Sequence, residues 1–346
     1  MSKLVVVSAG PATSIQDRGR FGTQRYGLPP SGAMDFVSLA AANSLVANAR
    51  DSAAIEIGPL GAVFTVRDGA VRIALSGAMR PIDLAGNALP LNQSIVLAEG
   101  ETLKLGPARG GIFSYLAVEG GIAGEPMFGS LSVNARSGIG SPYPRNLREG
   151  DQIVVGAASL TEHECQIDIP EVSKGPIRVV MGPQDDEFGD ARQLFLESEW
   201  VISAMSDRMG YRLEGPKIVH AKGYNIVSDG TVDGSIQVPG SGQPIVLMKD
   251  RGTTGGYPKI ATVMSADLGR FAQLPAGSKI RFAEISMKAA QDEARKLSAF
   301  LGSLSSRMRA AGSSNLNLDE LQKANVAGAA VSAIDNATWQ SQPASE

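Results

Sequence analysis

Short apolar runs separated by glycine, proline and asparagine dominate the first 285 residues, and such runs predict β-strands. The first is Leu4–Ser8, which ends at Gly10-Pro11. Between Ala53 and Val155 the pattern returns as AAIEI, AVFTV, VRIALSG, SIVLA, TLKLG, IFSYLAVEGG and DQIVVG. Two further strands, Pro244–Met248 and Tyr257–Val263, enclose a polar loop. Helical spacing shows in three places. Over Ala33–Val46 it puts Leu39, Ala42, Leu45 and Val46 on one face, with Asp35 or Ser31 as the cap and Asn48 at the end. After Glu284, Leu297, Phe300, Leu301, Leu304 and Met308 recur at the same spacing. A weaker pattern covers Leu318–Ile334, and the closing NATWQSQPASE has a disordered composition.

The polar segment 157–176 predicts a linker, and beyond it the chain restarts. Ile177–Pro183 echoes Leu4–Pro11, and Ser206-Asp207-Arg208-Met-Gly-Tyr211 echoes Gln16-Asp17-Arg18-Gly-Arg-Phe21. With 346 residues, the expectation is two related β-rich domains, residues 1–165 and 166–285, followed by a helical extension and tail over 286–346. Forty glycines and nineteen prolines agree with many short strands and turns. A net charge of −3 gives no reason to expect nucleic acid or an anionic membrane as partner. No apolar run approaches a membrane span, and Met1–Val7 is too short for a signal peptide. The single cysteine, Cys165, excludes an intramolecular disulfide and suits a reducing compartment, so the cytoplasm is the expected location.

Several chemistries drop out by motif. There is no G-x-x-x-x-G-K-[ST], no G-x-G-x-x-G opening a helix and no G-x-S-x-G. Of the two histidines, His163 sits in His163-Glu164-Cys165, whose consecutive side chains converge poorly on one ion, and no metal site is expected. What remains is the loop between the last two strands: Lys249, Asp250, Arg251, Gly252, Thr253, Thr254, Gly255, Gly256 and Tyr257. Its hydroxyls, cations and glycine N–H groups can close on one small anion or carbonyl, or serve only a hairpin turn. Asp-Arg pairs among glycines recur at Asp17-Arg18 (with Arg20), Asp207-Arg208 and Asp250-Arg251, with Tyr211 and Tyr257 close by in sequence. Each pair alone reads first as a structural ion pair; together they suggest a polar anion-binding pocket. Asp250, Arg251 and Tyr257 are the catalytic candidates, with Arg251 expected to face a wet pocket. Lys249, Thr253, Thr254, Gly255, Gly256, Asp207, Arg208, Tyr211, Asp17 and Arg20 are the binding candidates.

These segments resemble the family that contains the larger (C) subunit of 5-oxoprolinase, allophanate hydrolase subunit 2, the KipA antagonist of a kinase inhibitor, and the carboxyltransferase region of urea carboxylase. The shared text includes Gln16-Asp17-x-Gly19-Arg20-x-Gly22, Gly27-x-Pro29-x-Ser31-Gly32-Ala33-Met34-Asp35, Glu56 and Ser114-Tyr115-Leu116-Ala117-Val118. It continues with Gly182-Pro183-Gln184, Ser206-Asp207-Arg208-Met209-Gly210-Tyr211, Gln237-Val238-Pro239 and Thr253-Thr254-Gly255-Gly256-Tyr257-Pro258. The resemblance adds Ser31 and Asp35 to the binding candidates. It implies a mainly β fold of two cyclophilin-like β-barrel domains. It also implies a smaller partner, similar to KipI or to the B subunit of 5-oxoprolinase, and a small-molecule substrate. The activity implied is ATP-dependent opening of the 5-oxoproline lactam to glutamate, with ATP and Mg2+ shared with the partner and the amide oxygen activated by phosphorylation. Carboxyl transfer from biotin, or non-catalytic binding of a kinase-inhibitor-like partner, are the alternatives. Gly252 stands where the family usually has glutamine, and Ser132-Val133 and Gly140–Arg145 also depart from its pattern.

Overall fold

The computed structural model describes residues 1–157, 164–170 and 174–311. His163, the Leu318–Ile334 pattern and the closing segment lie outside them. The apolar runs of the first half all form strands. Six strands make one sheet, in the spatial order Gln152–Val154, Lys3–Ala9, Ala62–Arg67, Thr102–Leu105, Ile82–Leu84, Asn87–Ala88. Seven make the next: Ser14–Gln16, Ala54–Ile57, Arg109–Val118, Val71–Met79, Gln93–Leu97, Cys165–Ile167, Met308–Ala310. In the second half an eight-stranded, nearly closed sheet runs Lys279–Ile280, Trp200–Ile202, Gly210–Glu214, Ile245–Leu247, Ser235–Gln237, Lys259–Val263, Ile177–Met181, Phe282–Glu284. The named pairs are antiparallel except the last, Ile177–Met181 with Phe282–Glu284. Four α-helices complete the described residues: α1 (Phe36–Leu45), α2 (Ala191–Glu197), α3 (Ser265–Ala272) and α4 (Met287–Gly302).

Alternation along the central strands builds two cores. Ile55, Ile57, Ile73, Leu75, Leu116 and Val118 point into the first barrel, against Leu4, Phe64 and Leu103. The opposite faces of the same strands, through Ala54, Ala74, Tyr115 and Ala117, join α1 and the second half in one continuous core that reaches Trp200, Val246 and Phe271. Those strands are therefore buried on both sides, which explains their unbroken apolar runs. The same arrangement changes the expectation for α1. Ser38 through Leu45 are all buried, not one face of them, because the helix lies between the first barrel and the second half. Its cap is Asp35, whose carboxylate accepts from Val37 N at 3.1 Å and Ser38 N at 3.3 Å.

The predicted linker is partly sheet. Cys165–Ile167 pairs with Met308–Ala310, from the far end of the described chain, and with Gln93. Three residues are too few for a periodic signal, and Glu164 and Gln166 around Cys165 mask the strand in the sequence. The C-terminal segment is accordingly woven into the first half, and α4 is bridged to the strand Ile177–Met181 by Arg178 Nη1–Glu293 Oε2 at 2.9 Å.

Candidate functional site

The loops singled out in the sequence meet where the two halves touch. Gly19 and Gly32 lie back to back: an ideal Cβ on Gly32 would be 2.8 Å from Arg18 O, and one on Gly19 would be 2.8 Å from Pro30 O. That close approach, with φ of +99° and +94°, requires glycine at both positions. It brings Ser31 N onto Lys249 O at 3.2 Å and so locks the first half's loop onto the second half's.

A chain of charges crosses the same boundary. Glu56, fully buried on strand Ala54–Ile57, pairs with Arg208 Nη1. Its other oxygen accepts from Met34 N at 2.9 Å and from Tyr115 Oη at 2.7 Å. Arg208 continues to Asp250 through Nε at 2.8 Å and donates Nη2 to Gly32 O, also at 2.8 Å. Burial pushes the Glu56 carboxyl above its ordinary value, against the pull of Arg208 and the Met34 and Tyr115 hydrogen bonds. Burial alone would lower Arg208, but Asp250 and Glu56 outweigh it and raise it. Tyr115 is raised by burial and then by Glu56. The arginine is thus held charged between two carboxylates, one from each half.

The loop's own cations are committed elsewhere. Arg251 is only 2 % exposed and pairs through Nη1 with Asp233, whose other oxygen takes Lys249 Nζ at 2.8 Å. Burial lowers the Arg251 guanidinium, opposed by Asp233. The expected wet-pocket orientation of Arg251 is therefore corrected: the stretch Thr231–Asp233 folds over it, with Thr231 O also facing Nη2 at 3.4 Å. Gly252 O accepts from Thr231 Oγ1 at 2.6 Å, so the residue that departs from the family pattern still closes this contact through its backbone. Thr254 and Gly255 pair as a short ribbon with Gly230 and Asp229. Gly256 O accepts from Ile226 N at 2.9 Å, Thr253 O from Thr231 N at 3.1 Å, and Tyr257 stands 40 % exposed at the surface.

The remaining candidates, apart from the exposed Asp207, are buried. Asp17 gathers Gly19 N, Ser130 Oγ and Leu131 N at 2.7 Å each, together with Ser132 Oγ, which saturates its carboxylate. Arg20 is buried, donates to Ser132 O, and is lowered by burial against Asp17 and Asp250. Ser31 is buried, with its Oγ accepting from Asn134 Nδ2 at 3.3 Å. Asp35 is used by its helix cap and by Gln273 Nε2 at 2.9 Å. Asp207 closes its own turn onto Met209 N at 2.8 Å and Gly210 N at 3.2 Å. Tyr211 lies in the core, its hydroxyl donating to Ala272 O at 2.7 Å, and burial raises it further. Apart from Arg20, whose Nε is buried without a partner, these side chains are engaged within the fold.

One group was missed. Lys259, on the strand after the loop, is 3 % exposed and its Nζ meets Asp229 Oδ2 at 2.9 Å. Its cross-strand partner is Gln237, and Gln184 Oε1 accepts from its backbone N at 3.1 Å. A charged residue directly after Tyr257-Pro258, inside an otherwise buried strand, is the signal that could have found it.

Comparison with known proteins fits this architecture. The profile of the carboxyltransferase domain, subdomains A and B, matches residues 26–284, and the chain belongs to that family. Within it, the chain is 38% identical over 297 residues to the C subunit of 5-oxoprolinase from Escherichia coli (strain K12), covering 84% of this chain and 96% of that protein. It is 36% identical over 289 residues to the corresponding C subunit from Haemophilus influenzae, covering 83% of this chain and 93% of that one. The solved structure of the K. lactis urea amidolyase superposes with a TM-score of 0.81 at 28% identity, over 87% of this chain but only 20% of the amidolyase.

Proposed function

We propose that this chain is one component of an ATP-dependent 5-oxoprolinase, which opens the lactam of 5-oxoproline to glutamate together with a smaller partner subunit. The observation that carries this reading is the match to the 5-oxoprolinase subunits along nearly their whole length, whereas the urea enzyme matches over one fifth of its chain. In the net chemistry water adds to the lactam carbon, the ring C–N bond breaks and the nitrogen takes a proton. The chain's part is to hold the ring and polarise its carbonyl with preorganised donors. Lys249 and Arg251 are matched to Asp233, and Arg208 to Glu56 and Asp250. The reading therefore assigns ATP and its Mg2+ to the smaller partner. A second reading is carboxyl transfer, favoured by the family profile and the amidolyase superposition; biotin would then arrive on another polypeptide, since this chain has no Met-Lys-Met attachment sequence.

The test is glutamate release from 5-oxoproline by the complex co-purified with its partners, with and without ATP, beside the chain alone. The expected outcome is ATP-dependent release by the complex and none by the chain. Biotin-dependent carboxylation of urea, with no glutamate from 5-oxoproline, would replace the first reading by the second.

A further inference from the structure

We propose that Lys259 is the residue that touches the substrate carbonyl, in a small site completed by Gln184, Gln237 and Asp229 and built for a planar amide such as a lactam or a ureido group. The inference deepens the proposed function and rests on it for the identity of the substrate. Three features of the geometry support it.

Lys259 is an ammonium with three donor hydrogens and one acceptor in place, Asp229 Oδ2 at 2.9 Å. A lysine buried to 3 % exposure for fold stability alone would be expected to have its other hydrogens met by backbone oxygens, as Arg80 has with Gly58 O and Gly106 O. Asp229, by contrast, is 54 % exposed, so the pair opens towards solvent on the carboxylate side. The hydrogen bond from Lys259, then that from Gly230 N, holds the Asp229 carboxyl below its ordinary range, which keeps the ammonium's counter-charge in place.

The amide-bearing neighbours are arranged around it. Gln237 is opposite Lys259 in the strand register, and among the described residues its Nε2 reaches only Tyr257 O at 3.5 Å. An amide side chain offers a donor and an acceptor on one edge, which is the complement of the N–H and C=O edge of a lactam or urea. Gly255 makes room for it: an ideal Cβ there would be 2.3 Å from Gln237 Nε2. Gly255 thus keeps the loop clear of the glutamine head. Gln184, from the turn after Ile177–Met181, anchors the strand through Lys259 N at 3.1 Å.

In this arrangement Lys259 donates to the carbonyl oxygen as charge builds there during addition to the carbon, and Gln237 reads the adjacent N–H. No covalent bond to Lys259 is involved.

The experiment is calorimetric titration of the full chain with 5-oxoproline and with proline, which has the same ring and carboxylate but no lactam carbonyl. Wild type is expected to bind 5-oxoproline and not proline. Lys259→Met and Gln237→Leu should each weaken 5-oxoproline binding about tenfold or more, the loss expected for a hydrogen bond to a charged or buried group. If Lys259→Met does not fold, Lys259→Arg keeps the ion pair with Asp229, and the same loss of binding is expected because the planar fork cannot reproduce a point contact. Unchanged affinity in the folded Lys259 variants, equal binding of proline, or no binding of 5-oxoproline by wild type would overturn the site. Failure of the activity is separate: Lys259-dependent binding by a chain whose complex releases no glutamate would refute the reaction and leave the site standing. A Lys259→Met complex that releases glutamate at the wild-type rate would do the reverse.

Discussion

Replacing Arg251 by alanine separates a structural from a chemical role for the loop. The guanidinium is buried, paired with Asp233 and close to Thr231 O, so the substitution removes one charge-assisted hydrogen bond, about 1.5–3 kcal/mol. Loss of two buried methylenes adds about 1.5 kcal/mol. Against this, Arg251 Nε is buried without a partner, and removing it returns about 1–3 kcal/mol of desolvation cost. Asp233 is not orphaned, because Lys249 Nζ stays at 2.8 Å. The net expectation is a loss of about 2 kcal/mol. Urea denaturation of wild type and Arg251→Ala measures it, and glutamate release by the assembled complex is followed on the same preparations. Turnover per folded molecule should stay within a few-fold of wild type. A stability change below about 0.5 kcal/mol, the range of an ordinary surface substitution, combined with a hundred-fold fall in turnover, would refute the reasoning and restore Arg251 to the chemistry.

Two further perturbations address the rest of the network. In a double-mutant cycle of Glu56→Gln and Arg208→Met, the two sites should show a coupling of about 1–3 kcal/mol in denaturation free energy, since the pair is buried and crosses between the halves; additivity within error would show that the halves are held by packing alone. Acid titration should report on Asp267, which receives Arg178 Nη2 at 2.7 Å and also Arg270 Nη2. Burial would raise this carboxyl, but the two arginines outweigh it and hold it below the ordinary range. A depressed folded-state value means stability that is present above the unfolded carboxylate value and lost as pH falls through the folded one. Asp267→Asn should therefore be less stable than wild type at neutral pH and show a flatter acid limb, and identical acid limbs would remove Asp267 from that role.

Much of the fold was legible because the strands carry their own punctuation. At the echoed Asp-Arg positions the turns are alike: Asp17 Oδ1 accepts from Gly19 N at 2.7 Å, and Asp207 Oδ1 from Met209 N at 2.8 Å. The site was less legible. Arg251 and Arg208 have the same Asp-Arg signature, yet one lies under Thr231–Asp233 and the other spans two halves, a difference set by residues about twenty and one hundred and fifty positions away. Asp233 and Asp229 sit in a polar stretch with no pattern, so no local rule names them as the partners of Lys249, Arg251 and Lys259. Glu56 was visible only as a shared letter, since its burial depends on α1 and Tyr115 closing over it.

The continuous core that runs from Ala54 and Tyr115 through α1 to Trp200 and Phe271 has a consequence for how the molecule can be divided. Two domains joined by a tether can be expressed apart, exchanged between relatives or melted one at a time. Here the first half supplies one wall of the second half's interior, and Gln273 at the end of α3 holds Ile112 N and Phe113 N at 2.9 Å each. A fragment ending before Ile177 would leave that wall facing water, and a fragment starting there would lack it. The two halves share one core, and the loop that carries Lys249–Tyr257 meets the first half directly, through Ser31 N on Lys249 O at 3.2 Å.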